Sequence, residues 1–170
     1  MKKLLSAALI LALLLALGVP AFAEEAKYEN TKAFLNLVKD VEGLETELLG
    51  VIPFAGENYE RVRVTYKSDD YTSHFSVLFH EDEEDVVLYM NPLIKFDENK
   101  LDELVAELNS INARTTGLKL YADTSDNSVS AELYLLVTKD SAAELAATGV
   151  GLMVGFTDSV YESLSKFAAK

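Results

Sequence analysis

Apolar residues at Phe34, Leu37, Val38, Val41, Leu44 and Leu48 recur at spacings of three and four, which traces one stripe of an amphipathic helix. The spacing predicts a helix from about Thr31 to Leu48, ended by Gly50 and Pro53. The period then drops to two. Val62, Val64 and Tyr66 alternate with Arg61, Arg63 and Thr65 in the run Tyr59 to Lys67. In Tyr71 to His80, Phe75, Val77 and Phe79 share one face while His74, Ser76, Leu78 and His80 share the other. Val86 to Met90 reads as a third strand. The turns at 68–70 and in the acidic run Glu81 to Asp85 are short, so the three strands form an antiparallel meander.

A second helix follows Pro92 and Asp97, with Asp97 as its N-cap and Leu101, Leu104, Val105, Leu108 and Ile111 as its inward stripe. Gly117 closes the connection after it. Leu118 to Ala122 and Val129 to Thr138 are two more strands, joined by the Asp-, Asn- and Ser-rich segment 123–128. Ser141 and Glu144 stand at capping-box spacing and open a last helix, whose stripe takes in Leu145, Leu152, Phe156, Val160, Leu164 and Phe167. The order is α-βββ-α-ββ-α. Grouped rather than alternating elements give an α+β fold, an antiparallel sheet of about five strands with helices packed on it.

The first residues follow a different logic. Lys2 and Lys3 precede an uncharged run from Leu4 to Leu17; Gly18 and Pro20 break it, and Ala21-Phe22-Ala23 meets the small-x-small rule for cleavage. The expectation is a signal peptide over 1–23, a flexible N-terminus over 24–30 and a single domain over 31–170, located outside the cytoplasm as a secreted, periplasmic or envelope protein. The 14-residue apolar run is short of the roughly 20 residues that a membrane span needs. An uncleaved N-terminal anchor is the alternative.

Composition then narrows the class. The 147 residues after Ala23 suffice for one core, and the absence of cysteine leaves packing as the source of stability and removes thiolate chemistry. The leader holds two of the 15 basic side chains and none of the 28 acidic ones, so 13 basic face 28 acidic side chains in the remainder, a formal charge of −15. Such a surface repels nucleic acid and anionic lipid. The expectation is therefore no nucleic acid and, after cleavage, no membrane.

Candidate chemistry is sparse. His74 and His80 are the only histidines, on one strand face but about 20 Å apart at ~3.3 Å per residue. They cannot share a metal, and no nucleophile-elbow motif surrounds any serine. Both read as surface strand positions. Glu81 to Asp85 lacks the alternation of ligands and spacers of a calcium loop and reads as a solvated turn. In a calcium loop started at Asp123, position 6 is Ser128 rather than Gly and position 12 is Tyr134 rather than Glu, so the motif fails. Gly149, Gly151 and Gly155 are spaced GxGxxxG, one residue too long for a dinucleotide fingerprint. They read instead as a close approach of the last helix to its neighbours. Arg61 with Arg63 is a minimal basic cluster. No catalytic, cofactor-binding or metal residue is assigned, and no cofactor is expected.

A run of features resembles the YbjN family, whose fold is like that of type III secretion chaperones. These are Val87 to Met90, the Leu-rich segment Leu104 to Asn112 with Asn109 and Asn112, the hairpin Leu118 to Tyr121 and Val129 to Leu136, and the closing helix Gly151 to Phe167. The element order matches over roughly residues 31–168. Ile111 stands where the family usually has an aromatic, and family members generally lack an export leader. The resemblance implies a non-enzymatic module with a chaperone-like or regulatory binding surface, and a homodimer. The function expected is binding of a protein or peptide through a sheet edge or the apolar face of the first helix. The alternatives are a small secreted hydrolase built around His74 or His80 and an anchored envelope protein.

Overall fold

The computed structural model describes residues 26–169 apart from 69, 70 and 83. The leader reading, over residues 1–23, falls outside the described residues. Among the described residues three helices and six strands follow one another as α1 (Glu29–Val38), β1 (Leu44–Phe54), β2 (Glu57–Lys67), β3 (Thr72–His80), β4 (Asp85–Lys95), α2 (Leu101–Asn112, entered through a 3-10 turn at Glu98–Lys100), β5 (Leu118–Asp123), β6 (Ser128–Leu136) and α3 (Ala142–Ser165). The strands form one antiparallel sheet ordered β1-β2-β3-β4-β6-β5. The class is the α+β expected, with one strand more.

That strand comes from the segment read as the second half of the first helix. α1 stops at Val38, and the chain turns through Gly43, whose φ of +80° is open to glycine at little cost. From Leu44 the residues alternate, Leu44, Thr46 and Leu48 inward and Glu45 and Glu47 outward. Leu44 and Leu48, four apart, fit a helical stripe and a strand face equally well, which is why periodicity alone joined them to the helix. Pro53 is tolerated because β1 is an edge strand. A two-residue turn, Ala55-Gly56, with φ positive at both, closes the β1–β2 hairpin. Likewise β4 runs past Met90 to Lys95, because Pro92 lies in a register irregularity between Met90 and Ile94 and interrupts no regular ladder bond.

All three helices cover one face. Phe34 of α1 packs on Phe79 of β3 with ring centroids 5.4 Å apart, and α1 also packs along α3. Leu104, Leu108 and Ile111 of α2 join Leu118 and Leu120 of β5 in the same core as Val62, Val77, Leu88 and Ala131. Burying each such side chain contributes about 1.5–3 kcal/mol. The first helix begins two residues early, and Ala26 and Tyr28, in the stretch expected to be a flexible start, are buried in this core. They are held there by Glu60, which is 1% exposed and accepts the backbone N–H of Lys27 at 2.7 Å and of Tyr28 at 2.8 Å.

The last helix keeps Val160 and Leu164 of its expected stripe buried, with Phe167 just past its end, but its first half is rotated from that stripe. Its buried positions are small or flexible, among them Ala142, Ala146, Gly149, Val150, Met153 and Thr157, while Leu145 and Leu152 are exposed. A Cβ on Gly149 would lie 3.0–3.2 Å from the methyl groups of Leu88 and Leu135, so the close approach is real there. At Gly151 and Gly155 such a Cβ meets nothing within 4 Å. The capping box does not form. Ser141 turns its hydroxyl back to Thr138, accepting that residue's N–H at 3.1 Å. Asp97 does cap, accepting the Asn99 N–H at 3.0 Å at the start of the 3-10 turn.

Candidate binding face

The face of the sheet away from the helices is assembled by strict alternation. Since β2, β3, β4, β6 and β5 bury their even or odd positions under the helices, the intervening residues line up across the strands. One row runs Glu47, Arg63, Ser76, Tyr89, Glu132 and Lys119; the next runs Gly50, Arg61, Leu78, Val87 and Tyr134; a third includes Thr65 and His74. The centre of this face is a shallow depression of about 320 Å³ lined by Arg61, Arg63, His74, Phe75, Ser76 and Tyr89.

Within it, Arg63 forms an ion pair with Glu47 at 2.7 Å across the β1–β2 ladder. Arg61 donates from Nε to the Ser76 hydroxyl at 2.8 Å and has no carboxylate in ion-pair range among the described residues. The His74 Nδ1 lies 2.9 Å from the Thr65 hydroxyl. Along the far side the Tyr121 hydroxyl is held well above the usual tyrosine range, first by burial and then by its hydrogen bond with Tyr89 and the charge of Glu132.

The other end of the face is a small apolar cluster of Tyr59, Leu78 and Val87 with Ile52 packed against it. Its rim is polar and interlocked. Asp85, 8% exposed, accepts hydrogen bonds from Tyr134 at 2.6 Å and Tyr59 at 3.0 Å. The Tyr134 hydroxyl is pushed up to about 12, chiefly by that bond to Asp85 and then by burial. Tyr59 is raised further still, chiefly by burial and then by the same carboxylate. His80 sits against the Tyr59 ring at 5.0 Å. Its Nδ1 accepts the Asp82 N–H at 3.3 Å, and its Nε2 lies 3.2 Å from Glu57.

The two histidines therefore differ from each other. His74 is the exposed strand residue expected, whereas His80 has only 12% of its side chain exposed and belongs to a packed network. Within the acidic run Glu81, Asp82 and Glu84 are exposed, but Asp85 is not part of a solvated turn: it opens β4 and is buried beneath two tyrosines. Segment 123–128 is the turn expected, with the Asp123 carboxylate accepting the Ser125 N–H at 2.8 Å and the Asp126 carboxylate 2.6 Å from Lys95. No three His, Asp or Glu side chains converge to hold a metal among the described residues. Nor is any described helix long and apolar enough to cross a membrane. The tyrosine and Asp85 contributions escaped sequence reading. Tyr89 and Tyr134 carried a usable signal, since each is an outward-phase position in an apolar strand.

The six-stranded antiparallel sheet thus has its helices on one side and an open, tyrosine- and arginine-bearing face on the other. The YbjN family, described as "Putative bacterial sensory transduction regulator", matches residues 57–163, from the start of β2 to the last turn of α3, and this chain belongs to it. α1 and β1 lie outside the matched span. No curated protein matches the chain.

Proposed function

We propose that this protein is an exported, non-enzymatic binding module that takes up a protein or peptide partner on the open face of its sheet. The observation that carries the reading is the asymmetry of the sheet. Its helix side is filled, and the apolar face of α1, one of the two surfaces the sequence offered, is spent on the core. The opposite side presents tyrosines and arginines, side chains enriched at binding surfaces because they combine large contact area with directed hydrogen bonds. The regulatory description of the family supports a binding role over a hydrolytic one. The leader pattern of residues 1–23 supports export.

The test of the face is capture from the envelope fraction and medium on immobilised protein, beside a Tyr89→Ala/Tyr121→Ala variant that retains its melting curve. A partner held by the wild type and lost from the variant is expected, and equal retention would remove the open face from consideration. The test of export is N-terminal sequencing of the native product. A chain beginning at Glu24 is expected; one that keeps Met1 and sediments with membranes would replace export by anchoring.

A further inference from the structure

We infer that the depression around Arg61 is an oxyanion subsite that takes a carboxylate side chain from an acidic peptide segment of the partner. The inference rests on the open-face reading and names the chemistry at its centre. The chain has a formal charge of −13, with nearly two acidic side chains for each basic one. Among the described residues Lys32, Lys39, Arg63, Lys67, Lys95 and Lys166 lie in ion-pair range of a carboxylate, while Lys100, Arg114 and Lys119 are spent on backbone carbonyls. On this face Lys67 pairs with Glu45 and Arg63 with Glu47. Arg61, half-buried between them and the apolar cluster, has no such partner among the described residues.

Its geometry is fixed all the same. The Ser76 hydroxyl, itself 5% exposed, takes the Nε–H at 2.8 Å and so anchors the guanidinium plane. The terminal amino groups are then free to bind an anion end-on, as a two-pronged donor matched to the spacing of two carboxylate oxygens. His74, with Nδ1 on Thr65, has Nε2 uncommitted on the same wall. Restraint of this kind removes part of the ordering cost that binding otherwise carries. The depression of about 320 Å³ lies at the small end for ligand sites, suited to one side chain rather than to a large cofactor.

The protein's overall negative charge does not oppose this. Exposed charges beyond about 8 Å are screened at physiological ionic strength; on the β1 side Glu45 and Glu47 are each paired with a cation, Asp85 is taken up by hydrogen bonds from Tyr59 and Tyr134, and Glu132 lies past Tyr89, three strands from Arg61. A peptide with acidic side chains separated by tyrosine or leucine would place a carboxylate on Arg61 and an apolar group on Tyr134, the exposed end of the same cross-strand row.

The experiment follows the Arg61 Nε–H by NMR while the purified protein is titrated with a Glu/Tyr octapeptide, with the same peptide carrying Gln for Glu, and with inorganic phosphate. The Glu peptide is expected to shift that resonance saturably and to bind at least tenfold more tightly than the Gln peptide. Arg61→Met should abolish the difference, and Arg61→Lys, which keeps the charge without the fork, should retain only part of it. Should Arg61→Met not fold, the Lys variant and the Gln peptide still decide the matter. A saturable response to phosphate with none to the Glu peptide would overturn the peptide assignment in favour of a free anion. No response to either would overturn the site. A partner lost from the Tyr89/Tyr121 variant in the capture experiment, together with a silent Arg61, would refute this inference while leaving the open-face reading intact.

Discussion

At the scale of single residues the two histidines make the sharpest contrast. His74 and His80 look identical in the sequence, both outward-phase positions of one strand. Their surroundings are set by what the neighbouring strands bring. His74 meets Thr65 and solvent, while His80 is covered by Tyr59 and lies between Glu57 and Asp85. His74→Ala should change stability by less than about 0.5 kcal/mol, as exposed substitutions do. His80→Ala should cost about 1–2 kcal/mol, because it opens a gap against Tyr59 and removes the acceptor of the Asp82 N–H. Urea denaturation of the two variants separates these outcomes, and equal midpoints would mean that the network around Asp85 holds without the imidazole. Alternation along β3 was enough to put both histidines on one face. Burial on that face depends on the register with β2 and β4, which no single strand encodes.

At the scale of elements, long and strongly periodic segments were legible and ambiguous ones were not. β2, β3, β5, β6 and α2 follow their patterns because alternation or a three-four spacing persists over most of their length. β1 was hidden because its inward leucines, Leu44 and Leu48, are also one helical turn apart, and the decisive feature was Gly43 rather than any apolar residue. α3 was legible as a helix and, through Val160 and Leu164, in the orientation of its second half, but not in that of its first half. Its large residues, Leu145 and Leu152, point outward, and alanine and glycine face the sheet so that the helix can lie close to Leu88 and Leu135. The glycines should therefore respond in opposite directions. Gly149→Ala should destabilise by about 1–3 kcal/mol through overpacking. Gly151→Ala and Gly155→Ala, whose added methyl groups meet open space, should each stabilise by about 0.5–1 kcal/mol through helix propensity. Thermal melts of the three single variants are the check, and a uniform direction of change would show that α3 does not press on β4 and β6 as described.

At the scale of the whole molecule the phenols act together. Tyr59 and Tyr134 share Asp85 at one end of the sheet. At the other end Tyr71 donates to Asp158 at 2.6 Å and stacks on Tyr161 at 4.2 Å, tying the start of β3 to α3. Burial and the acceptor carboxylate hold Tyr71 far above the usual range. Each of these hydroxyls keeps its proton longer in the folded state than in the unfolded chain, where tyrosine titrates near pH 10. Above that pH the unfolded chain binds fewer protons, so its stability relative to the fold rises and the protein weakens. Below it this contribution is fully present. The urea midpoint should thus be insensitive to these groups up to about pH 9.5 and fall steadily as pH rises through 10 and toward the Tyr134 value of about 12. A midpoint unchanged between about pH 9 and 11.5 would mean that the phenols are not held as the hydrogen bonds indicate.

The Glu60 carboxylate sets an order of events. It secures Lys27 and Tyr28 from a position 33 and 32 residues further along the chain. A polypeptide that emerges N-terminus first therefore cannot close this contact until β2 has followed it out. During that interval Ala26 and Tyr28, later buried, have nothing to dock on. Under the export reading, only Glu24 and Glu25 separate the cut after Ala23 from the buried Ala26. The N-terminal end of the described fold thus emerges first yet cannot close at once, and it waits on one buried acid of β2.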